Sequence, residues 1–224
     1  MNGGDRNIST IFFCLSQKLF VLLSKRKNSM DILKYKNGPK VIIPKLFQDE
    51  RGYFFESYNA DEFEENVDTI DFVQDNESCS SRGVLRGFHY QKPPYDQAKL
   101  VRVVKGSAID VIVDIRKDSP YYGEWSAEFL TEENHHQFYV PRGFAHAFLA
   151  LEDNTIFQYK CDNYYNKESE GGIIWNDPTI NFKWEEWIDL KDIKLSEKDE
   201  KHPQLIDFDT PFTDKWYLRN ISKD

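Results

Sequence analysis

The chain has 224 residues, the length of one domain, and its 29 Lys and Arg against 38 Asp and Glu give a formal net charge of -9 at pH 7. This acidity argues against a nucleic-acid-binding surface or a polybasic membrane surface, because both need a positively charged face, but it allows a small anionic ligand. The three cysteines, Cys14, Cys79 and Cys161, form no CxxC pair, so we predict neither a disulfide framework nor a zinc site and expect a reducing, cytoplasmic location.

The first residues of the chain differ in character from the rest. An apolar stretch over residues 8–23 is interrupted near its middle by polar residues, so it is too short and too broken for a membrane-spanning helix, which needs about 20 apolar residues. Its positive charges follow the apolar part, which is the wrong order for a signal peptide. We predict a poorly ordered N-terminal extension, or a segment preceding a second start codon at Met30, over 1–29, and one domain with a polar C-terminal tail over 30–224.

From Met30 onward, short apolar runs alternate with turn signals at the spacing of an all-β sandwich or barrel. Aromatic residues make up 15% of the chain and also favour sheet. Two stretches, Ala60–Asn66 and 184–201, are predicted as helices. The predicted strands cover residues 40–47, 53–57, 84–90, 98–105, 107–115, 125–130, 137–140, 145–151 and 155–159.

Alternation within the middle strands indicates which side chains share a face. Lys99, Val101 and Val103 point one way from their strand, so we predict that this lysine faces the barrel interior. In the next strand, Val111 and the apolar residues at alternate positions point to one face of the sheet, and Asp110 points to the other. The two faces of the sheet therefore carry different side chains. A barrel of eight or more strands can hold one small ligand inside.

One histidine, His89, lies within a predicted strand. From the residues alone, a strand histidine is more often a hydrogen-bonded core residue than a catalytic one. Gly87, two positions earlier, costs strand stability and often marks the close approach of a ligand or of another backbone. The local sequence leaves both roles open for His89.

The segment PRGFAHAF is similar to the second motif of the cupin superfamily. Members of that superfamily often bind a divalent ion, so the segment raises the question of a metal site. The first cupin motif requires a His-x-His pair followed shortly by Glu, whereas His89 is followed by Tyr90, Gln91 and Lys92. The adjacent His135 and His136 do not complete the set, because neighbouring strand residues face opposite ways. We predict no bound metal.

Seven blocks of sequence form a longer pattern: DERGYFFESYN, FVQDNESCSSRGVLRGFHYQ, AKLVRVVKGSAIDVIVDIRKDSPYYGEW, FYVPRGFAHAF, QYK, GGIIWNDP and LSEKDEKHPQLID. In order and spacing they resemble the dTDP-4-dehydrorhamnose 3,5-epimerases over residues 32–207. The resemblance implies a mainly β, cupin-like double-stranded β-helix or jelly-roll barrel with short peripheral helices. It also implies a homodimer that uses no metal or other cofactor and has no nucleic-acid or membrane partner.

The reaction that the resemblance implies is epimerisation of dTDP-4-dehydro-6-deoxy-D-glucose at C3 and C5 to dTDP-4-dehydro-L-rhamnose, a step of dTDP-rhamnose and polysaccharide biosynthesis. Two alternatives remain open. One is an epimerase that inverts a single carbon of a related nucleotide 4-keto-6-deoxy sugar. The other is a non-catalytic cupin module that only binds a sugar nucleotide.

The resemblance also implies residue roles. His89 matches the catalytic base, and Asp177 matches the carboxylate that pairs with its imidazole. Tyr159 matches the proton donor on the opposite face of the sugar, and Lys99 matches the group that stabilises the enolate oxygen.

Substrate binding is assigned in the same way. Arg51 and Arg86 match the residues that hold the diphosphate. Arg86 and His89 are three positions apart, which puts them on opposite faces of a regular strand, so we predict either a bulge at Gly87 or an approach of Arg86 from another direction. Residues expected to line the nucleotide and sugar pocket are Glu56, Gln74, Asn76 and His146, with Arg51 and Glu56 contributed across the dimer interface.

Overall fold

The computed structural model describes residues 30–212. The predicted N-terminal extension, 1–29, and the end of the C-terminal tail lie outside the described residues. Among these residues there is one α-helix, α1, which spans Ala60–Asn66. In chain order the strands are β1 (Met30–Lys34), β2 (Lys40–Pro44), β3 (Phe47–Asp49), β4 (Gly52–Phe54), β5 (Gln74–Ser80), β6 (Leu85–Gln91), β7 (Lys99–Lys105), β8 (Ser107–Asp114), β9 (Trp125–Thr131), β10 (Gln137–Val140), β11 (Phe144–Ala150), β12 (Thr155–Cys161) and β13 (Glu170–Gly172).

Two antiparallel sheets form a sandwich. The six-stranded sheet has the order β1-β2-β10-β7-β12-β5, and the five-stranded sheet has the order β13-β6-β11-β8-β9. Their inner faces meet in an apolar layer in which Phe148 of β11 stacks on Phe157 of β12 with ring centroids 4.1 Å apart. The hairpin of β3 and β4 forms a separate two-stranded sheet.

Both outer faces of the sandwich are also covered. Helix α1 packs Phe63 against Leu100 and Tyr139 on the six-stranded sheet. The C-terminal segment, residues 173–212, packs apolar side chains that include Trp184 onto the five-stranded sheet. The layer between the sheets and the layer under the C-terminal segment cover the two faces of β8, so this strand is buried at every position.

The alternation predicted for β7 and β8 is confirmed. Val101 and Val103 enter the layer between the sheets, and Leu100 enters the layer beneath α1. Val111 faces the C-terminal segment, and Ile112 faces the opposite sheet. Each strand therefore places one alternate set of side chains inside the sandwich, and Lys99 belongs to the inner set of β7.

Some predicted elements differ from the structure. The predicted strand 40–47 is divided between β2 and β3, and three strands, β1, β5 and β13, were not predicted. The helix predicted over 184–201 is wrong, because this stretch forms only the short 3-10 turns Trp184–Glu186 and Leu190–Asp192. The Asp189 side chain accepts a hydrogen bond from the Lys191 N–H and begins a new turn instead of extending a helix. No helix within residues 30–212 has the length and apolar character needed to cross a membrane.

Candidate active site

Polar side chains replace apolar ones at one end of the layer between the sheets. The pairing of β12 with β7 and β5 aligns Tyr159 with Val101 and Asn76, so these side chains share the inner face. The polar set comprises Arg86, His89, Asp110 and His146 from the five-stranded sheet and Gln74, Asn76, Lys99 and Tyr159 from the six-stranded sheet.

A bulge at Gly87 brings Arg86 and His89 onto the same face, as the first of the two predicted explanations requires. On β11, His146 pairs with His89 and Phe148 pairs with Arg86, so two residues of β6 oppose the single Ala147. Gly87 has a φ of +127°, and a Cβ at this position would lie 2.5 Å from the Cα of Ala147. Only glycine fits, and the register shift that it permits turns both polar side chains into the sandwich.

The imidazole of His89 is paired with Asp199 in the C-terminal segment. Its Nε2 forms a short hydrogen bond to Asp199 Oδ1, and the Ser196 hydroxyl donates to Oδ2 at 2.7 Å. The Asp199 side chain is 4% exposed, against 27% for His89. A carboxylate that accepts the Nε2 proton leaves Nδ1 with the lone pair, so the ring is held in the tautomer that can take up a proton at Nδ1.

The pKa values of this pair suit a base. Burial lowers the pKa of His89 below its ordinary 6.5, and the hydrogen bond to Asp199 opposes this effect in part. For Asp199, burial raises the pKa, but the nearby His202 and His89 imidazoles and the Ser196 hydroxyl outweigh it and hold the value well below the usual range. At neutral pH the imidazole is therefore uncharged and the carboxylate is ionised.

The prediction that Asp177 pairs with His89 is wrong. Asp177 is buried, but its Oδ1 accepts the N–H groups of Thr179 and Ile180 at 2.8 and 2.9 Å, and its Oδ2 accepts the Leu205 N–H at 2.7 Å. These bonds engage both oxygens in holding two parts of the C-terminal segment together. Asp177 therefore shapes the segment that delivers Asp199 to the histidine.

Tyr159 and Lys99 lie on the inner face of the opposite sheet. The Lys99 Nζ is 5.8 Å from the centroid of the Tyr159 ring. Burial, aided by Cys161, raises the pKa of Tyr159, and the positive charge of Arg86 opposes this in part, so the phenol keeps its proton at neutral pH. Burial lowers the pKa of Lys99, while Cys161, Asp110 and Glu170 oppose that shift.

His146 lies next to His89 in the β11–β6 register and is paired with Asp110 of β8. Its Nε2 is 2.7 Å from Asp110 Oδ2, and both side chains are buried. Burial raises the pKa of Asp110, and the contacts with His146 and Lys99 oppose this effect. The site thus contains two histidine–carboxylate pairs. Asp110, the partner of His146, lies on a strand, whereas Asp199, the partner of His89, lies in the C-terminal segment.

Two predicted binding residues, Arg51 and Glu56, do not join the polar side chains on the inner faces of their own chain. Arg51, in the turn between β3 and β4, has an 84% exposed side chain, and its Nε bonds to Asp49 Oδ2 at 3.1 Å. Glu56 accepts a hydrogen bond from Asn59 at 3.1 Å and lines a small cavity with Phe63 of α1, on the outer side of the six-stranded sheet. The hairpin exposes three large aromatic side chains, Phe47, Tyr53 and Phe54.

The sequence reasoning missed Asp199 and assigned no role to Asp110. Asp199 lies 110 residues beyond His89, so no local pattern connects the two. The available signal was the tail block LSEKDEKHPQLID, which contains Asp199 together with a serine and a histidine. For Asp110, the signal was a carboxylate on the inner face of an otherwise apolar strand.

Comparisons with known proteins match this chain over nearly all of the described residues. A sequence model of the family described as dTDP-4-dehydrorhamnose 3,5-epimerase matches residues 36–207. The dTDP-4-dehydrorhamnose 3,5-epimerase of Shigella flexneri is 49% identical over 174 residues, covering 76% of this chain and 94% of the relative.

Solved structures agree with the sequence comparison. The dTDP-4-dehydrorhamnose 3,5-epimerase of Elizabethkingia anophelis superposes with a TM-score of 0.77 at 46% identity, over 82% of this chain and 100% of that one. The dTDP-6-deoxy-D-glucose-3,5-epimerase of Legionella pneumophila, solved with dTDP-4-keto-L-rhamnose, gives a TM-score of 0.76 at 43% identity, over 80% and 95% of the two chains. The predicted cupin-like jelly-roll fold is confirmed.

Proposed function

Because the chain belongs to the dTDP-4-dehydrorhamnose 3,5-epimerase family, we propose that it converts dTDP-4-dehydro-6-deoxy-D-glucose to dTDP-4-dehydro-L-rhamnose by inverting C3 and C5. The observation that carries this proposal is the position of His89 and Tyr159 on the facing inner sides of the two sheets. His89 belongs to the five-stranded sheet, and Tyr159 belongs to the six-stranded sheet. A sugar between them has a base on one side and an acid on the other.

The chemistry of a 4-keto sugar explains why this arrangement suits epimerisation. The carbonyl at C4 acidifies the hydrogens on both neighbouring carbons, C3 and C5. Removing either hydrogen as a proton leaves an electron pair that moves onto the C4 oxygen as an enolate. Inversion then requires a proton from the opposite face of the same carbon, so one residue must act from each side.

His89 supplies the base in this scheme. Its Nδ1 takes the proton from C5 or C3, and the Nε2–H bond to Asp199 stabilises the imidazolium that forms. Tyr159 then donates its phenolic proton to the other face of the carbon. Each inversion conserves the atoms of the sugar, and both residues recover their original protonation by exchange with solvent.

Lys99 supplies the charge that the enolate needs. Its ammonium group lies beside Tyr159 on the wall opposite His89, in a buried setting where a cation interacts strongly with a developing oxyanion. His146 lines the same small cavity as Lys99, and Asp110 is close enough to oppose the lowering of the Lys99 pKa. Lys99 thus lies where the carbonyl oxygen at C4 fits between the acid and the base.

The nucleotide extends toward the exposed mouth of the cavity. The Arg86 side chain is exposed and shares a face with His89, and its charge opposes the rise in the pKa of Tyr159 that burial causes, so its guanidinium lies near both residues and can hold the diphosphate. Gln74, Asn76 and His146 lie on the same inner faces of the two sheets, where they can contact the nucleotide sugar.

We infer that the enzyme works as a homodimer. The β3–β4 hairpin exposes Phe47, Tyr53 and Phe54, which are 53%, 57% and 70% exposed. Phe47 and Phe54 pair across the two strands and form an apolar surface suited to a partner subunit. Arg51 and Glu56 lie on or beside this hairpin, far from the polar set of their own chain, and a second copy could place them at its site. In the dimer, each site then gains an arginine for the diphosphate.

The configuration of the product tests the proposal directly. The full chain is mixed with dTDP-4-dehydro-6-deoxy-D-glucose, and the sugar protons are followed by NMR. We expect inversion at both C3 and C5. Inversion at one carbon alone supports the single-site epimerase instead, and no conversion with retained nucleotide binding supports the non-catalytic binding module.

Replacing Tyr159 by Phe separates deprotonation from inversion. The variant keeps His89 and Lys99, so in deuterated water it should still exchange hydrogen at C5 or C3, but the rate of inversion should fall by about 100-fold or more because the opposite-face proton donor is missing. Both rates are read from one NMR time course. Equal loss of exchange and inversion would contradict Tyr159 as the acid.

Replacing Lys99 by Met removes the charge and keeps the length of the side chain. We expect kcat to fall by about 100- to 1000-fold, as for the loss of one oxyanion-stabilising group. The matched control is Lys105→Met, an exposed position at the end of the same strand, where kcat should stay within twofold of the wild type. A similar kcat in both variants would exclude Lys99 from enolate stabilisation.

A further inference from the structure

Three potential metal ligands converge on the side of His89 that faces Asp199. One ligand atom each from His89, Asp199 and His202 lie within 4.8 Å of one another, and among residues 30–212 this is the one group of three or more such side chains. His89 and His202 meet nearly edge to face, with ring centroids 5.6 Å apart. Two imidazoles and one carboxylate form a ligand set that Zn²⁺ binds readily.

His202 has no role in the epimerisation scheme, and its Nε2 makes no hydrogen bond. This atom is buried and lies 3.7 Å from Asp199 Oδ1, beyond hydrogen-bond distance. Leaving a polar atom buried without a hydrogen bond is unfavourable. A nitrogen held in this way beside an ionised carboxylate is an available metal ligand.

A glycine makes room for this ring. Gly172 of β13 pairs with His89 in the register of the two strands. A Cβ on Gly172 would lie 2.4 Å from His202 Nε2, so any other residue would displace the imidazole. The backbone of β13 thus holds the His202 nitrogen against the base and its carboxylate.

We propose that His89 Nε2, Asp199 Oδ1 and His202 Nε2 form a site for Zn²⁺ or a similar divalent transition metal, and that metal binding reversibly inactivates the enzyme. Ligands 2.0–2.2 Å from a tetrahedral zinc are separated by about 3.3 Å. To bind the ion, the distance between His202 Nε2 and Asp199 Oδ1 shortens slightly from 3.7 Å. The hydrogen bond between His89 Nε2 and Asp199 Oδ1 breaks, and the two atoms move apart to make room for the metal. Water completes the coordination at the fourth position.

Metal binding also requires a change of tautomer at His89. A metal ligand must offer a lone pair at the coordinating atom. The hydrogen bond to Asp199 holds the ring proton of His89 on Nε2, so this proton moves to Nδ1 when the metal binds.

The shift of the proton to Nδ1 explains the inactivation. This explanation rests on the proposed function, in which His89 is the base. With the metal on Nε2 and the proton on Nδ1, the imidazole has no lone pair left to accept a proton from the sugar. The ion also separates His89 from Asp199, which removes the charge that stabilises the imidazolium. The metal lies behind the ring relative to the cavity, so nucleotide binding is retained.

The experiment uses the full chain, stripped of metal with EDTA, and titrates it with ZnCl2 by calorimetry. We expect one Zn²⁺ per chain and, with Co²⁺ as a probe, the visible absorption of a tetrahedral site. His202→Gln should weaken zinc binding by at least about 100-fold. His136→Gln is the matched control, because His136 is paired with Glu128 at 3.0 Å outside this site, and it should bind zinc like the wild type.

Activity provides an independent readout. Zinc should stop hydrogen exchange at C3 and C5 in the wild type, EDTA should restore it, and His202→Gln should need about 100-fold more zinc for the same relative inhibition. Absence of zinc binding, or equal binding by His202→Gln, would overturn the site. Zinc binding that requires His202 but leaves hydrogen exchange at C3 and C5 intact would contradict the proposed inactivation by the metal. If the metal-free protein has no epimerase activity, the proposed function fails, while calorimetry still decides the metal site.

Discussion

Replacing His89 by Ala is expected to reduce epimerisation by about 100- to 10,000-fold, the range typical of a lost general base. The imidazole has no substitute within the cavity, because the nearby His146 is already bonded to Asp110. Binding of dTDP should change little, since the diphosphate is assigned to arginines. The rate is measured by NMR of the sugar protons and the affinity by calorimetry.

The matched control for this variant is His136→Ala, which removes a histidine–carboxylate pair of similar kind outside the cavity. It should retain nearly full kcat. An active His89→Ala variant would support a binding module or a different base. Loss of dTDP binding together with activity would indicate that His89 holds the nucleotide.

Replacing Asp199 by Asn should be almost as damaging, with a fall in kcat of about 100-fold or more. An asparagine can offer an N–H to Nε2, which places the ring proton on Nδ1, where the base needs a lone pair. The pH profile gives a second readout. Asp199 raises the pKa of His89 against the effect of burial, so the variant should have a lower His89 pKa and an acid limb of kcat/KM shifted to lower pH.

Asp177→Asn is the matched comparison, because the sequence assigned to Asp177 the role that the structure gives to Asp199. Its carboxylate holds the backbone N–H groups of Thr179, Ile180 and Leu205, so this variant should lose about 1–3 kcal/mol of the free energy of unfolding. Thermal unfolding measures that loss. A pH profile that moves for Asp177→Asn but not for Asp199→Asn would reverse the assignment.

The fold was predictable where local pattern decides the structure. Strict alternation of side chains along β7 and β8 separates their inner and outer faces, and this alternation alone assigns Lys99 to the inner face. β5 was missed because its sequence, QDNESCS, contains no large apolar residue. It forms a strand because all seven of its residues pair with β12 at the edge of the sheet, which is a tertiary effect.

The site was predictable only in part, for a related reason. His89, Lys99 and Tyr159 lie on strands, where period and register set the direction of a side chain. The partner of His89 depends instead on the path of the C-terminal segment across the sheet. That path is set by long-range packing, including Trp184 against Phe88 and the bonds of Asp177, so two aspartates in one segment could not be told apart from the sequence.

The predicted roles of Arg51 and Glu56 rest on the proposed contact between subunits. Within one chain both lie on or beside an exposed hairpin, and their described bonds are to their own neighbours, Asp49 and Asn59. Local sequence does not encode such a contact, because it depends on the symmetry of an assembly.

We propose that His89 and Tyr159 exchange protons with the sugar from opposite walls of the sandwich. The decisive measurement is solvent deuterium incorporation into dTDP-4-dehydro-6-deoxy-D-glucose, followed by NMR. The wild-type enzyme should place deuterium at both C3 and C5 and invert both carbons, and His89→Ala should lose both labels. Inversion without deuterium at these carbons, or undiminished labelling by His89→Ala, would contradict the claim.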